Sequence, residues 1–351
     1  MHHTQIHIEE PELSIHMGGP GRGEGILIVV GKHLVIGVDC CPTLTEKGFS
    51  TSSYLHQLFS NLEPDFSIYW LLTHYHLDHF TTLATTLDEW QPRIAEVIVP
   101  SDYTPADISY DVKLSQKVLL ERDEYDRLQN QILKPGFRSK CKSIVGHQRW
   151  IETVLVSGEQ QRNLSVEVFG PDILTHKNLV GKAVRTITSA KGYSRSRRLC
   201  NLGSYLLLLK VDRFVAIFLA DCPSLRTVQY DWETQEDWPG VAFLKVAHHG
   251  SKDGTSKQLL AKLNPPPGHE AVPFNRIAGI APFDQHGLPK GPVVRAIENA
   301  GFQVRSSKTS IGPNPDTIKK IVDSGLMAGV GITPGRVTVP KDHVLLVTYP
   351  I

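Results

Sequence analysis

No apolar run in this 351-residue sequence is long enough to cross a bilayer: the longest uninterrupted one, Phe214 to Ala220, falls far short of a helical span. A secretory leader is not visible either, since Glu9, Glu10 and Glu12 sit among histidines where an apolar core would be needed. The five cysteines (Cys40, Cys41, Cys141, Cys200 and Cys222) are too few and too odd in number for a disulfide framework, and they read as reduced thiols. No membrane partner and a cytoplasmic location are therefore expected. Charge of one sign is also missing, with 37 basic side chains against 36 acidic ones. That balance excludes a protein held on nucleic acid by bulk electrostatics, so a polyanion would have to be gripped by a local patch. Internal repeats, low-complexity tracts and long linkers are absent, and the expectation is one domain spanning 1–351.

What is present is a series of short β-branched and leucine-rich runs. Ile26–Val30 and Leu34–Val38 flank Gly31-Lys32-His33 and predict a hairpin. A second hairpin is predicted for Tyr205–Val211 and Phe214–Ala220 around Asp212-Arg213. Ile68–Leu72, Val97–Val99, Val166–Phe169 and Phe243–Ala247 are further strand candidates, and the tail returns to strand at Arg336–Val339 and Val344–Tyr349. Residues 112–133 lack Pro and Gly and space their apolar side chains as one helix face; Pro135-Gly136 ends them. Ser256–Leu263 and Val293–Ala300 predict two more helices, the latter closed by Gly301. Hairpins followed by helices, twice over, predict an α/β protein: an αββα sandwich of two mixed sheets with helices outside. A helical insert at about 105–160 and a β extension after about 310 would complete the domain, either of them a surface for a homodimer or a partner protein.

The chemistry concentrates at a few strand ends. Residues 73–79 read Thr-His-Tyr-His-Leu-Asp-His, directly after an apolar run, and imidazole and carboxylate are the donors of Zn²⁺ and similar ions. Asp221 follows the wholly apolar run of the second hairpin; an unpaired carboxylate there would be costly, and a metal ion is its natural partner. Phe243–Ala247 then runs into His248-His249-Gly250-Ser251, where two adjacent imidazoles suggest one ligand and one bystander. Two divalent ions about 3.5–4 Å apart can share such a site.

The segment His74-Tyr-His76-Leu-Asp78-His79 is similar to the HxHxDH signature of the metallo-β-lactamase superfamily. Asp39 resembles its first motif, Asp221 its bridging aspartate, and His248/His249 its last histidine motif. Asn201-Leu-Gly-Ser204, Asp221, Leu244-Lys-Val-Ala-His-His-Gly-Ser251 and Gln285-His286-Gly-Leu-Pro289 further resemble the metallo-hydrolase domain of DNA-uptake competence proteins and of phosphorylcholine esterases. The likeness spans roughly residues 25 to 310, with 105–160 poorly matched. It implies the metallo-β-lactamase fold, His74 and His76 on one ion, Asp78 and His79 on a second, Asp221 bridging, and His248 or His249 completing the second site. Two divalent ions, zinc or else manganese, are implied, with a metal-bridging hydroxide as nucleophile, Asp78 orienting it and His249 assisting catalysis. Asp39 is implied to orient a histidine from behind. The superfamily's third histidine motif has His147, after Gly146, as candidate and His176 as runner-up. The glycines common after the signature are replaced here by Phe80, Thr81 and Thr82. Cys40 and Cys222 adjoin the motif aspartates and are expected to pack beside the site, with metal ligation or oxidation as the alternatives.

Such a site admits several hydrolyses, and a fold does not choose among them. The subgroup likeness favours phosphodiesters. Lys191-Gly-Tyr-Ser-Arg195-Ser-Arg197-Arg198 leans the same way, gathering cations around Tyr193 where a nucleic-acid backbone could run. The leading expectation is a phosphodiesterase or nuclease acting on nucleic acid or another phosphodiester. The alternatives are a hydrolase of a small phosphoester or an acyl substrate (lactone or thioester), and a non-catalytic interaction module with a residual metal site.

Overall fold

The structure is a computed structural model that describes residues 4–9, 11–18, 24–40, 51–100, 116–171, 200–230, 238–266, 273–282, 287–307, 336–338 and 344–351, with backbone alone at 51–53, 116–122 and 336–338. Cys41, His176, the basic segment 191–198, Gln285, His286 and most of the chain after 310 lie outside the described residues.

Among the described residues, sixteen strands form two sheets of eight. In chain order they are β1 (Thr4–His7), β2 (Glu12–Gly18), β3 (Gly25–Val30), β4 (Leu34–Val38), β5 (Ser67–Leu71), β6 (Ile94–Ile98), β7 (Cys141–Lys142) and β8 (His147–Ser157). Then follow β9 (Gln160–Phe169), β10 (Leu206–Val211), β11 (Phe214–Phe218), β12 (Phe243–Lys245), β13 (Ile277–Ile280), β14 (Gln303–Ser306), β15 (Arg336–Thr338) and β16 (Val344–Pro350). One sheet runs β15-β16-β2-β3-β4-β5-β6-β7 and the other β1-β8-β9-β10-β11-β12-β13-β14. Both are mixed: β3–β4 and β10–β11 are antiparallel hairpins, whereas β4–β5–β6 and β11–β12–β13–β14 are parallel.

Three apolar layers hold the sandwich. Ile26, Ile28 and Val30 of β3 meet Leu207, Leu209 and Val211 of β10 in the layer between the sheets. Leu27 and Val29 point the other way, onto Leu55, Phe59, Leu83, Leu87 and Leu128 of the helices outside the first sheet. Leu206 and Leu208 pack outward onto Leu259, Leu260, Val293 and Ile297 of the helices covering the second. Strands buried on both faces need no polar alternation, which is why these runs are continuously apolar. This is the αββα sandwich that the sequence predicts.

Local chemistry explains the turns. Val30 pairs with Leu34, and Gly31 and Lys32 both take positive φ (54° and 65°), as a tight hairpin turn requires. A Cβ on Gly31 would also collide with the Ile8 side chain. Ser256 caps the helix Lys257–Lys262, its hydroxyl accepting from the Leu259 N–H, and Gly301 follows the helix Gly291–Asn299 with φ 85°.

One segment differs from expectation, and the predicted C-terminal strands gain a place in a sheet. Among the described residues of 105–160 only Gln116–Ile132 and the short turn Pro135–Arg138 are helical, and from Cys141 on the elements are strands. The β8–β9 hairpin turns at Gly158 (φ 58°) and is inserted between β1 and β10, so this stretch builds the sheet instead of standing outside it. Its alternation (Ile151 and Leu155 buried, Glu152 and Val154 less so) is a strand pattern. At the other end of the chain, β16 pairs along its whole length with β2, whose Leu13, Ile15 and Met17 enter the core. The C-terminal strand thus completes the first sheet.

His16, on β2, is 8% exposed, with Nε2 at 2.9 Å from the Ser14 hydroxyl and Nδ1 at 2.6 Å from the Tyr54 hydroxyl. Burial pushes its imidazole down to about 4 from the ordinary 6.5. A base whose pKa is depressed by folding contributes fully above its unfolded value and loses that contribution as pH falls toward the folded one. A shift of this size corresponds to about 3 kcal/mol. Urea unfolding at pH 7.5 and pH 4 is expected to show wild type losing about that much more stability than His16→Gln; equal losses in the two proteins would contradict it.

Candidate metal centre

The sequence-predicted residues converge where strands of both sheets end. Asp39, just past β4, is the first to be fixed. Its N–H donates to the Leu71 carbonyl at 2.8 Å. Its Oδ1 accepts from the Thr73 N–H at 2.8 Å, and its Oδ2 lies 2.8 Å from the Thr73 hydroxyl and 2.7 Å from His79 Nδ1. Asp39 therefore orients His79 from behind, and the opposite nitrogen, Nε2, faces inward to lie 3.7 Å from Asp221 Oδ2 and 3.9 Å from Asp78 Oδ2.

Asp221, 3% exposed, is the hub. Its Oδ2 has three imidazole nitrogens around it: His74 Nε2 at 3.9 Å, His79 Nε2 at 3.7 Å and His248 Nε2 at 3.7 Å. His249 faces the other carboxylate, its Nε2 3.7 Å from Asp78 Oδ2, while its Nδ1 is 2.8 Å from the Ala281 carbonyl. His76 joins through His74, Nδ1 to Nε2 at 3.0 Å. Among the described residues, the sets with donor atoms within 4.8 Å of one another include His74, His79 and Asp221, and Asp78, His79 and His249. Two donors each about 2.1 Å from one ion lie no more than about 4.2 Å apart, so the 3.7–3.9 Å spacings suit a shared cation better than hydrogen bonds.

Two further observations fit a cation. His79 Nε2 and Asp221 Oδ1 are buried without a hydrogen-bond partner, at a cost of about 1–3 kcal/mol each unless something else satisfies them. His74 and the Asp221 and Asp78 carboxylates also hold the protonation states that ligation needs. At His79, His248 and His249 the facing carboxylates outweigh burial and raise the imidazoles, so a cation binding there would displace their protons. Burial, with His79 and His76 adding to it, holds His74 well below the usual imidazole range, so it keeps a lone pair. Burial alone would raise Asp221, but the positive charge of His79 and His248 outweighs it and keeps the carboxyl well below its usual range. Asp78 behaves likewise, with His249 and His79 outweighing burial. Donors of imidazole and carboxylate type, with no thiolate among them, suit zinc or manganese.

The backbone is bent to make this possible. Among the described residues six non-glycines have positive φ. Lys32 and Asp212 are hairpin turns, and the other four are Asp39, Ala220, His248 and His249. Such conformations cost on the order of 1–3 kcal/mol each and persist only where the surroundings impose them.

One expected ligand stands apart, and the adjacent histidines are told apart. His147 does not join the cluster: it begins β8, 52% exposed, with its ring stacked on Phe169 at 4.3 Å and its Nε2 2.8 Å from Glu167 Oε2. A carboxylate and an aromatic face satisfy that imidazole away from Asp221. The two adjacent imidazoles, between which the sequence does not choose, take different places. His249, buried, sits with Asp78 and His79, whereas His248, 29% exposed, lies on the outer side of Asp221 with Nδ1 3.3 Å from Asp253. Both thiols beside the motif aspartates are buried. Cys40 Sγ lies 3.3 Å from the Thr82 hydroxyl, and burial raises both groups, Cys222 to about 11, so they pack as protonated thiols. A cavity of about 540 Å³ between the sheets, lined among others by Leu34, Ser67, Tyr69 and Trp150, opens at the starts of β4 and β5, away from these ligands.

Two residues at the site carry no expectation from the sequence. Glu24, fully buried, pairs with the fully buried Lys245, and its other oxygen is 3.2 Å from His249 Nδ1. Lys245 left a signal, a cation inside an apolar strand; Glu24, between two glycines, left none.

No family model matches the sequence, and no curated protein matches it either. Among solved structures, the chain is similar to Zn²⁺-bound PqqB from Methylobacterium extorquens, at 11% identity over 81% of this chain and 85% of that one, with a TM-score of 0.38. It is also similar to a long-form RNase Z from yeast, at 11% identity over 78% of this chain and 37% of that one, TM-score 0.35. A B3 metallo-β-lactamase with an active-site glutamic acid matches at 13% identity over 61% and 63%, TM-score 0.28. These likenesses concern the fold, and none of the three is to a DNA-uptake protein.

If Asp221 is the hub of a metal centre, Asp221→Ala is expected to weaken Zn²⁺ binding by more than about 100-fold, beyond the roughly 10–100-fold typical of residues that only support a ligand. Competition with a chromophoric chelator measures this, and wild-type affinity in the variant would rule the hub out.

Proposed function

We propose that this chain, on its metallo-β-lactamase fold, is a metal-dependent hydrolase of phosphodiesters. The observation that carries the reading is the Asp221 carboxylate facing three imidazoles, with the Asp78–His249 pair beside it. His74 and His76 would hold one divalent ion and Asp78, His79 and His249 a second, with Asp221 reaching both. Such ions, when bound, lower the pKa of a coordinated water and polarise the oxygen of the bond to be broken.

The chain's own groups have distinct tasks. Asp78, at the mouth of the site and 15% exposed, orients the attacking water through its carboxylate. His248 is the imidazole most open to solvent in the cluster, backed by Asp253 as a proton donor is usually oriented, and it would protonate the leaving oxygen.

The phosphodiester class is supported by the sequence of the basic segment 191–198, which lies outside the described residues. The chain that follows it is tied to the site: the Tyr205 N–H donates to the Thr73 carbonyl at 2.9 Å, beside His74. Arg226 Nη1 donates to the Leu202 and Ser204 carbonyls, both at 2.6 Å, and fixes that approach. A small phosphoester or a lactone would use the same ligands without the basic segment, and a binding module would use neither.

With Zn²⁺ or Mn²⁺, the wild-type protein is expected to cleave bis-p-nitrophenyl phosphate and single-stranded DNA or RNA, and to leave a lactone intact. Binding of the polynucleotide should weaken steeply with salt. Asp78→Ala should abolish turnover, whereas His248→Asn should lower kcat by about 10²–10⁴ with the metal retained. Lactone turnover without phosphodiester turnover would favour the acyl reading, and full activity in both Asp78→Ala and Asp221→Ala would sink the mechanism.

A further inference from the structure

We infer that the buried Glu24–Lys245 pair is a positioning device that sets His249 as a ligand and couples it to the Asp221 turn. The inference rests on the proposed metal centre and concerns two residues that make no use of the chemistry described so far.

Glu24 and Lys245 are each 1% exposed. The Lys245 ammonium contacts Glu24 Oε2, and Glu24 Oε1 lies 3.2 Å from His249 Nδ1. The Glu24 N–H donates to the Asp78 carbonyl at 2.8 Å. Lys245 Nζ is also 3.3 Å from the carbonyl of Ala220, the positive-φ residue immediately before Asp221, and the His248 N–H donates to that same carbonyl at 2.8 Å. One ion pair thus touches Asp78 through backbone, His249 through its ring, and the Asp221 turn through Ala220.

The ring contact decides the tautomer. His249 Nδ1 lies 2.8 Å from the Ala281 carbonyl, its hydrogen-bond acceptor, and 3.2 Å from Glu24 Oε1, whose negative charge faces the same nitrogen. Both call for hydrogen on Nδ1, which leaves the Nε2 lone pair facing Asp78 and the centre. A carboxylate behind an imidazole in this way fixes ring orientation and raises ligand basicity.

Glu24 could instead be a ligand itself, since its oxygens lie within 4.8 Å of donor atoms on Asp221 and His249. Lys245 argues against that. The ammonium takes one carboxylate oxygen, His249 faces the other, and a divalent ion at the same carboxylate would be repelled by the ammonium in a poorly screened interior. Stability alone does not account for the pair either, because a buried ion pair replaced by well-matched uncharged groups is often neutral or stabilising.

The test compares metal-free wild type, Glu24→Gln/Lys245→Met and Lys245→Met. Zn²⁺ affinity is measured by chelator competition, Co²⁺ binding by its visible spectrum, and folding by urea. If wild type binds no ion, the metal-centre reading fails, independently of this pair. Given binding, the double variant is expected to fold with wild-type stability, bind one ion about 10–100-fold more weakly and change the Co²⁺ spectrum. Lys245→Met is expected to weaken binding as well. Wild-type affinity and spectrum in the double variant would overturn the inference, and so would tighter binding in Lys245→Met, which would make Glu24 a ligand. Should these variants not fold, Glu24→Asp keeps the charge but withdraws the carboxylate from His249; weaker binding is expected there, and unchanged binding would again overturn the inference.

Discussion

The Asp39 carboxylate is the point from which the rest of the site is measured. Both of its oxygens are committed, one to the Thr73 N–H and the other to the Thr73 hydroxyl and His79 Nδ1. This fixes three things at once. It closes the end of β4 onto the loop after β5, it sets the tautomer of His79 so that Nε2 points inward, and it holds Thr73, whose carbonyl receives the Tyr205 N–H from the opposite sheet. The two sheets are therefore joined by hydrogen bonds at the site as well as by the apolar layer between them. A side chain that touches no substrate can in this way decide where several ligands stand.

The backbone shows what this arrangement costs. Asp39, Ala220, His248 and His249 all take left-handed conformations directly after a strand or its exit turn. A chain leaving a strand in extended form would carry its next side chains away from the sheet end; a positive φ turns it sharply enough to aim them back across it. Each such residue is disfavoured by about 1–3 kcal/mol, offset by the bonds that demand it, including Asp39 N–H to Leu71 and His248 N–H to Ala220. None of these positions is a glycine, so side-chain chemistry there outweighs conformational ease.

The sequence made the fold legible where the signal was local. The hairpins at 26–38 and 205–220 could be read because their apolar runs are interrupted only by turn residues, and the cluster at 74–79 because so many donors fall within one turn of chain. β2 and the β8–β9 hairpin were not legible, since their alternation is diluted by polar side chains such as His16, Glu152 and Glu167 that find partners only in the folded protein. The order of His248 and His249 was likewise beyond reach: two left-handed residues in a row decide which ring turns inward, and no residue type announces that. His147 looked suitable because it follows a glycine, but its nearest partners are Glu167 and Phe169, set by the β8–β9 register.

The same packing that makes the strands apolar dictates where polar chemistry can occur. Ile28 faces the layer between the sheets and Leu27 the helices, and the same alternation holds for Leu207 and Leu206 across the sandwich. In β4 and β11–β13, whose two faces are both filled, a charged side chain in mid-strand would be buried without water. Strand ends are the places left, and Asp39, Thr73, Asp221 and His248 all lie just beyond one. Lys245 tests the rule because it is the last residue of β12 and fully buried. It is tolerated because Glu24, from the turn before β3 in the other sheet, meets it with a carboxylate. A cation and an anion from opposite sheets can meet in this interior only if both sheets are already in place, so the pair depends on the completed fold.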